Sequence, residues 1–284
     1  MDNVEIAFIG GSGLYKVPEI ENIKWKKIAS NFGEPSSDIC LGKIHKKNVA
    51  FLPRHGKNHN ISPSNVNYRA NIEILKKLGT EKIISLSAVG SLREDYAPGD
   101  FVLVDQFIDK TYLRKKTFFD DDLVVHIPCA NPICSELKCN IGETLKKLKI
   151  KYHQHGTYIC IEGPQFSTLA ESELYRSWGC DIIGMTNMPE AKLALEAGIC
   201  YSTVAMVTDY DCWHKDHDNV SVEQILRTLK ENSDKAVKLI SHFVQQDKSK
   251  CNQKTKELSK NSIITNISKI KKKTKLKVKN ILKI

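Results

Sequence analysis

Two carboxylates one residue apart, Asp209 and Asp211, close an apolar run in AMVTDYDCW (205–213). A buried carboxyl has its pKa raised by desolvation and can keep its proton near neutrality. Such an acid donates to a ring nitrogen while its other oxygen accepts from an exocyclic amine, the two groups that adenine presents at N7 and N6. A solvated turn is the alternative, and what lies beside the acids decides between them. FIGGSGLY (8–15) sets Gly10, Gly11, Ser12 and Gly13 after a strand, where backbone N–H groups and a hydroxyl suit an anion. It lacks both the GK[ST] of a Walker loop and a GxGxxG. PRHG (53–56) adds Arg54, a planar fork that matches phosphate, and His55 as another donor. SLSAVGSL (85–92) ends a strand in Ser87, Ala88 and Gly90, small enough for a ligand to reach the backbone. IGMTNMPEAKLALEAG (183–198) delivers Met185 and Thr186 to the start of a helix. Ser12, Arg54, His55, Ser87 and Thr186 together make an oxyanion cradle of phosphate size, without the carboxylates that would hold Mg²⁺.

These side chains need strand ends to hold them. The runs 4–9, 49–53, 82–89, 100–108, 157–162, 181–185 and 199–208 are apolar and β-rich, several of them nearly throughout, as strands covered on both faces must be. Helical patterns lie between them. The stretch 64–79 repeats its apolar positions every three or four residues, and 167–179 opens with a Thr168 to Glu171 capping box and stops at Gly179. The stretch 188–198 runs from Pro189 to Gly198, and 221–246 reads as a long amphipathic helix. Alternating strands and helices predict a single-domain α/β/α sandwich around a mixed, mainly parallel sheet.

The formal charge of +10 over 284 residues suggests a nucleic-acid binder until its location is considered. Residues 248–284 hold 13 Lys against one acid, Glu257, whereas residues 1–247 carry 30 basic and 32 acidic groups. The expected division is therefore a domain over 1–247 and a Lys-rich tail over 248–284, solvated or weakly helical, with nucleic-acid binding the remote alternative. The nine Cys form no CxxC pair, which speaks against a zinc ribbon or a disulfide framework and for a reducing compartment. The N-terminus reads as a buried strand, not a signal peptide, and no run has the length of a membrane span, so a cytoplasmic protein is expected.

GGSGLY, LPRHGKNHNISPSNVNYRANI, AVGSLREDYAPGDFVLVDQFIDKT, IEGPQFS, MTNMPEAKLALEAGICY and MVTDYDCW, in this order, resemble the methylthioadenosine phosphorylases of the trimeric purine nucleoside phosphorylase superfamily. The resemblance covers about residues 4–245. It implies phosphorolysis of 5′-methylthioadenosine to adenine and 5-methylthioribose 1-phosphate, with inorganic phosphate as co-substrate and with no metal or nucleotide cofactor. It places phosphate on Ser12, Arg54, His55, Ser87, Ala88 and Thr186. The base falls on Asp209, also the general acid, and on Asp211, with Phe166 and Ser167 nearby. Met185 lies against the ribose and Val222 near the 5′ substituent. Relatives that prefer 6-oxopurines resemble this pattern with Asn in place of Asp209, so the alternative is a broad-specificity purine nucleoside phosphorylase. Ser12 and Ser87 stand where threonine is common, which keeps the hydroxyls. The resemblance also implies a homotrimer in which His126 and the segment 118–134 complete a neighbour's site; small molecules, not membranes or nucleic acid, are the expected partners.

Overall fold

The computed structural model describes residues 3–11, 17–214, 222–247, 249 and 253–282. Period-two alternation sorts its strands between two helical layers. In β1 (Ile6–Gly10), Ala7 and Ile9 join one core cluster while Ile6 and Phe8 join the other. In β4 (Lys47–Pro53), Ala50 and Leu52 oppose Val49 and Phe51 in the same way. The first cluster includes Ile72, Ile74 and Leu75 of α1 (Tyr68–Lys77) and Leu193 and Ala194 of α4 (Glu190–Glu196). The second includes Leu137, Ile141 and Leu145 of α2 (Ser135–Lys147) and Leu239, Ile240 and Phe243 of α5 (Val222–Gln246). This is the expected α/β/α sandwich.

At its centre β5 (Lys82–Ser91) pairs in parallel with β1 on one side and with β11 (Cys200–Asp209) on the other, and β4 is parallel to β1. Their carboxyl ends therefore point the same way, the usual location of a ligand crevice in such a sheet. β10 (Ile182–Gly184) runs antiparallel to β5, with Ile183 opposite Gly90, so the chain beyond it passes back alongside Ala88 and Ser87. α3 (Leu169–Ser177) starts at the anticipated capping box, with Thr168 accepting from Glu171 N and the Glu171 carboxylate returning to Thr168 N. The apolar run 100–108 is not one strand. It breaks into β6 (Phe101–Leu103) and β7 (Gln106–Asp109), which pair with β11 and with β9 (Thr157–Cys160) respectively. Sequence periodicity also passed over β2 (Glu21–Lys26), β3 (Ile39–Ile44), α2 and the two-residue β8 (Tyr152–His153). β2 is exposed along its length and so carries no alternation.

The C-terminal segment departs from expectation. It is not a solvated appendage: α6 (Gln253–Asn261) and α7 (Lys272–Val278) fold onto the α1/α4 layer, burying Ile270, Val278, Ile281 and Leu282 in the main core. Each such side chain is worth about 1.5–3 kcal/mol of transfer free energy, whereas exposed lysine pairs contribute little. The apolar residues between the lysines therefore hold the segment. Two of its lysines are paired with acids of the domain, Lys277 with Asp121 (2.8 Å) and Lys256 with Glu81 (2.6 Å).

Beneath this segment Glu196 is buried, its carboxylate accepting from Thr117 Oγ1 (2.6 Å) and Phe118 N (2.8 Å). Burial pushes that carboxyl up to about 7, with Asp120 adding to the rise and the two hydrogen bonds opposing it. Folding thus favours the protonated form. The stabilisation is complete below the ordinary carboxylate range and is lost as pH rises through about 7. Between mildly acidic and mildly alkaline buffer the wild-type protein is expected to lose on the order of 3 kcal/mol that Glu196→Gln retains. Thermal melts of both proteins at the two pH values check this.

Candidate active site

One cavity of about 310 Å³ lies at the carboxyl ends of the central strands. Its wall includes Gly11, Arg54, His55, Ser87, Ala88, Phe166, Ser167, Met185, Thr186, Asp209 and Asp211. Of the twelve phosphate- and nucleoside-contacting residues singled out from sequence, only Ser12 and Val222 are absent from this wall. Ser12 and the Val222 side chain lie outside the described residues. His126 is exposed on the segment 118–134 and does not line the cavity of its own chain.

Asp209 reaches the cavity because the β11–β5 register slips between Val207 and Asp209, a bulge that sets Asp209 opposite Gly90. Bulges re-aim side chains in this manner. A Cβ on Gly90 would lie 3.0 Å from Asp209 Oδ1, so the missing side chain makes room for the acid. Burial raises the Asp209 pKa, with the Asp211 charge helping; the Thr208 hydroxyl and the Asp211 N–H oppose it. Thr208 Oγ1 lies 2.7 Å from Asp209 Oδ2 and 3.1 Å from the Val89 carbonyl, yet it has one proton to give. When that proton goes to the carbonyl, a proton on Asp209 completes the shorter contact. Asp211 is also raised, chiefly by burial, and receives the Ser167 hydroxyl at 3.3 Å.

The antiparallel return of β10 brings the Thr186 hydroxyl 2.8 Å from that of Ser87. Met185 sits beside Gly163, whose φ is +69° and whose Cβ, if present, would lie 2.4 Å from Met185 Sδ. Phe166 is 55% exposed and forms the rim.

Arg54 is less free than its position after β4 suggests. Its Nε and Nη2 grip Glu190 Oε2 (2.7 Å) and Oε1 (2.9 Å), Nη2 also meets Ser85 Oγ (2.6 Å), and Nη1 donates to the Leu86 carbonyl (3.2 Å). Burial disfavours its charge, but Glu190 more than compensates and holds the guanidinium ionised. Arg54 therefore brings charge to the wall, with four of its five N–H donors already engaged by Glu190, Ser85 and Leu86. His55 Nδ1 lies 2.9 Å from the Ile61 carbonyl, and burial with the neighbouring Arg54 charge pushes the ring down to about 4.

Two supporting groups escaped sequence reasoning. Glu190 stands out only as an acid inside an apolar helix start. Arg114 carried no signal at all, because its partners come from three separate segments. It donates to the carbonyls of Met185 (2.7 Å), Met188 (2.5 Å) and Glu162 (2.9 Å), to the Glu162 carboxylate (2.9 Å) and to Tyr68 Oη (3.1 Å). Glu162 in turn receives Tyr112 N, Leu113 N and Ser64 Oγ, and these bonds bring it to about 2 despite burial. The pair thus ties the loop of Thr186 to the loop of Phe166. Arg114→Met, which removes the counter-charge of Glu162 and the donor to three backbone carbonyls, is expected to cost about 3–5 kcal/mol by chemical denaturation.

A cradle of hydroxyls and one arginine beside a buried acid pair, at the strand ends of an α/β/α sandwich, defines a nucleoside phosphorylase-like enzyme site. The chain belongs to the phosphorylase superfamily, whose model matches residues 5–245, and within it to the methylthioadenosine phosphorylase family. S-methyl-5′-thioadenosine phosphorylase of Rhodospirillum rubrum is 55% identical over 235 residues, 83% of this chain and 80% of that protein. Methylthioadenosine phosphorylase from an Antarctic soil metagenomic library superposes with a TM-score of 0.94 at 44% identity, covering 99% of this chain and 100% of the other. The C-terminal segment therefore lies within the shared fold. The Schistosoma mansoni enzyme, solved with adenine, superposes with a TM-score of 0.86 at 34% identity, over 91% of this chain and 98% of its own.

Proposed function

We propose that the chain catalyses phosphorolysis of 5′-methylthioadenosine, releasing adenine and 5-methylthioribose 1-phosphate. The carrying observation is the placement of Asp209, at the bulge of β11 and with a raised pKa, in the same cavity wall as Arg54, Ser87 and Thr186. Breaking the glycosidic bond puts positive charge on the ribosyl carbon and negative charge on the departing base. Asp209 protonates N7 as the base leaves, while the exocyclic amine meets an accepting carboxyl oxygen. Phosphate held by Ser12, Arg54, His55, Ser87, the Ala88 backbone and Thr186 faces the ribosyl cation and then captures it. The nucleophile is a substrate, and positioning supplies much of the rate. Asp211, Ser167 and Phe166 enclose the base, Met185 supports the ribose, and Val222 takes the methylthio end. The step uses no metal and no nucleotide cofactor.

Comparing kcat/KM for methylthioadenosine, adenosine and inosine tests this assignment. Methylthioadenosine should lead, and comparable rates on inosine would make the enzyme a broad-specificity purine nucleoside phosphorylase. The proposal extends to a cytoplasmic homotrimer. Tyr112, Leu113, Phe166, Leu169, Leu174 and Trp178 are large apolar side chains left exposed, and Phe166 is itself at the cavity rim. Isolated apolar exposure needs no explanation, but several such residues around one site favour a partner surface. Light scattering should give three copies, and a monomer with full activity would overturn this part.

A further inference from the structure

His55 stands in the cavity wall with its two ring nitrogens in different situations. Nδ1 lies 2.9 Å from the Ile61 carbonyl. A carbonyl oxygen only accepts, so Nδ1 carries the proton of this contact. Nε2 meets no hydrogen-bond partner among the described residues, and the ring is stacked on His59 with centroids 4.6 Å apart. The neighbouring charges act together on the ring's ionisation: Arg54, one residue away, opposes a second proton, and Glu190, already gripped by Arg54, favours it more weakly. Burial adds to the opposition and brings the ring to about 4. In neutral solution Nε2 is then a bare lone pair.

We infer that His55 offers the anion a hydrogen-bond acceptor, not the donor expected from sequence, and so selects an oxyanion that carries its own proton. The inference rests on this cavity being the phosphate site and sharpens what that site takes. Hydrogen phosphate can direct its P–OH to Nε2 while its unprotonated oxygens face the Arg54 charge and the hydroxyls of Ser87 and Thr186. Arsenate has the same protonated form. Sulfate, equal in size and charge but without a proton at neutral pH, would set an oxygen lone pair against that of Nε2. A buried polar group left unpaired in this way is the strongest means by which a site rejects a close analogue.

The experiment measures binding of phosphate, arsenate and sulfate to the full chain by competition, alongside adenine release from methylthioadenosine. Arsenate should replace phosphate in supporting release, and sulfate should compete roughly 100-fold more weakly than phosphate. In His55→Ala, checked for native circular dichroism and adenine binding, phosphate should weaken and the phosphate-to-sulfate ratio should fall to within about threefold. Ring ¹⁵N shifts of His55 in the phosphate complex should report a neutral Nδ1–H tautomer. A doubly protonated ring, sulfate matching phosphate in the wild-type protein, or an unchanged ratio in the variant would each overturn the role of His55 while leaving phosphorolysis intact. Absence of phosphate-dependent base release from the wild-type protein would instead remove the site reading and this inference with it.

Discussion

Asp209→Asn should slow adenine release from methylthioadenosine by about 100- to 1000-fold while changing turnover of methylthioinosine by no more than about threefold. An amide has no proton to transfer to N7, so the negative charge of the departing adenine would go unrelieved. It does present an N–H that suits a 6-oxo group, which spares the inosine analogue. The bulge that turns residue 209 into the cavity depends on the backbone and on Gly90, so it survives the substitution. The raised pKa of the wild-type acid also fixes the sign of the pH response: turnover falls as pH rises and Asp209 loses its proton. Steady-state kcat/KM on the two nucleosides decides the matter. Equal losses on both would reduce Asp209 to a shaper of the pocket.

The second large effect concerns Arg54 and separates stability from phosphate use. Arg54→Met should cost about 3–5 kcal/mol, because Glu190, 1% exposed, is left as a buried charge without its partner. Adding Glu190→Gln removes the stranded charge and should restore most of that stability. The double variant should still need roughly 10- to 100-fold more phosphate, since the lost contact is a charge-assisted hydrogen bond. Denaturant titration gives the first quantity and the apparent KM for phosphate the second. A double variant with wild-type phosphate dependence would take Arg54 out of the cradle and leave it as a purely structural partner of Glu190.

What the sequence disclosed, and what it withheld, follows from the range of the interactions. β1, β4, β5 and β11 were legible because burial on both faces makes them largely apolar, and glycine or proline marked the ends of the first three. The cavity wall was legible for the same reason: its residues directly follow those strands. β2 escaped because an exposed edge strand needs no apolar pattern. The Glu190 clamp on Arg54 and the Arg114–Glu162 tie escaped because they join residues 136 and 48 positions apart, and no local spacing encodes such a pair. The His55 tautomer was equally hidden, being set by the carbonyl of Ile61. In the C-terminal segment the thirteen lysines dominated the composition, while a few isoleucines, a valine and a leucine set its position.

Phosphorus NMR of a reaction containing the wild-type protein, methylthioadenosine and inorganic phosphate bears most directly on the chemistry. A sugar 1-phosphate resonance should grow in step with free adenine as inorganic phosphate is consumed. Adenine appearing with the phosphate signal unchanged would mean that water, not phosphate, captures the ribosyl carbon, and would contradict a phosphate cradle beside a protonated Asp209.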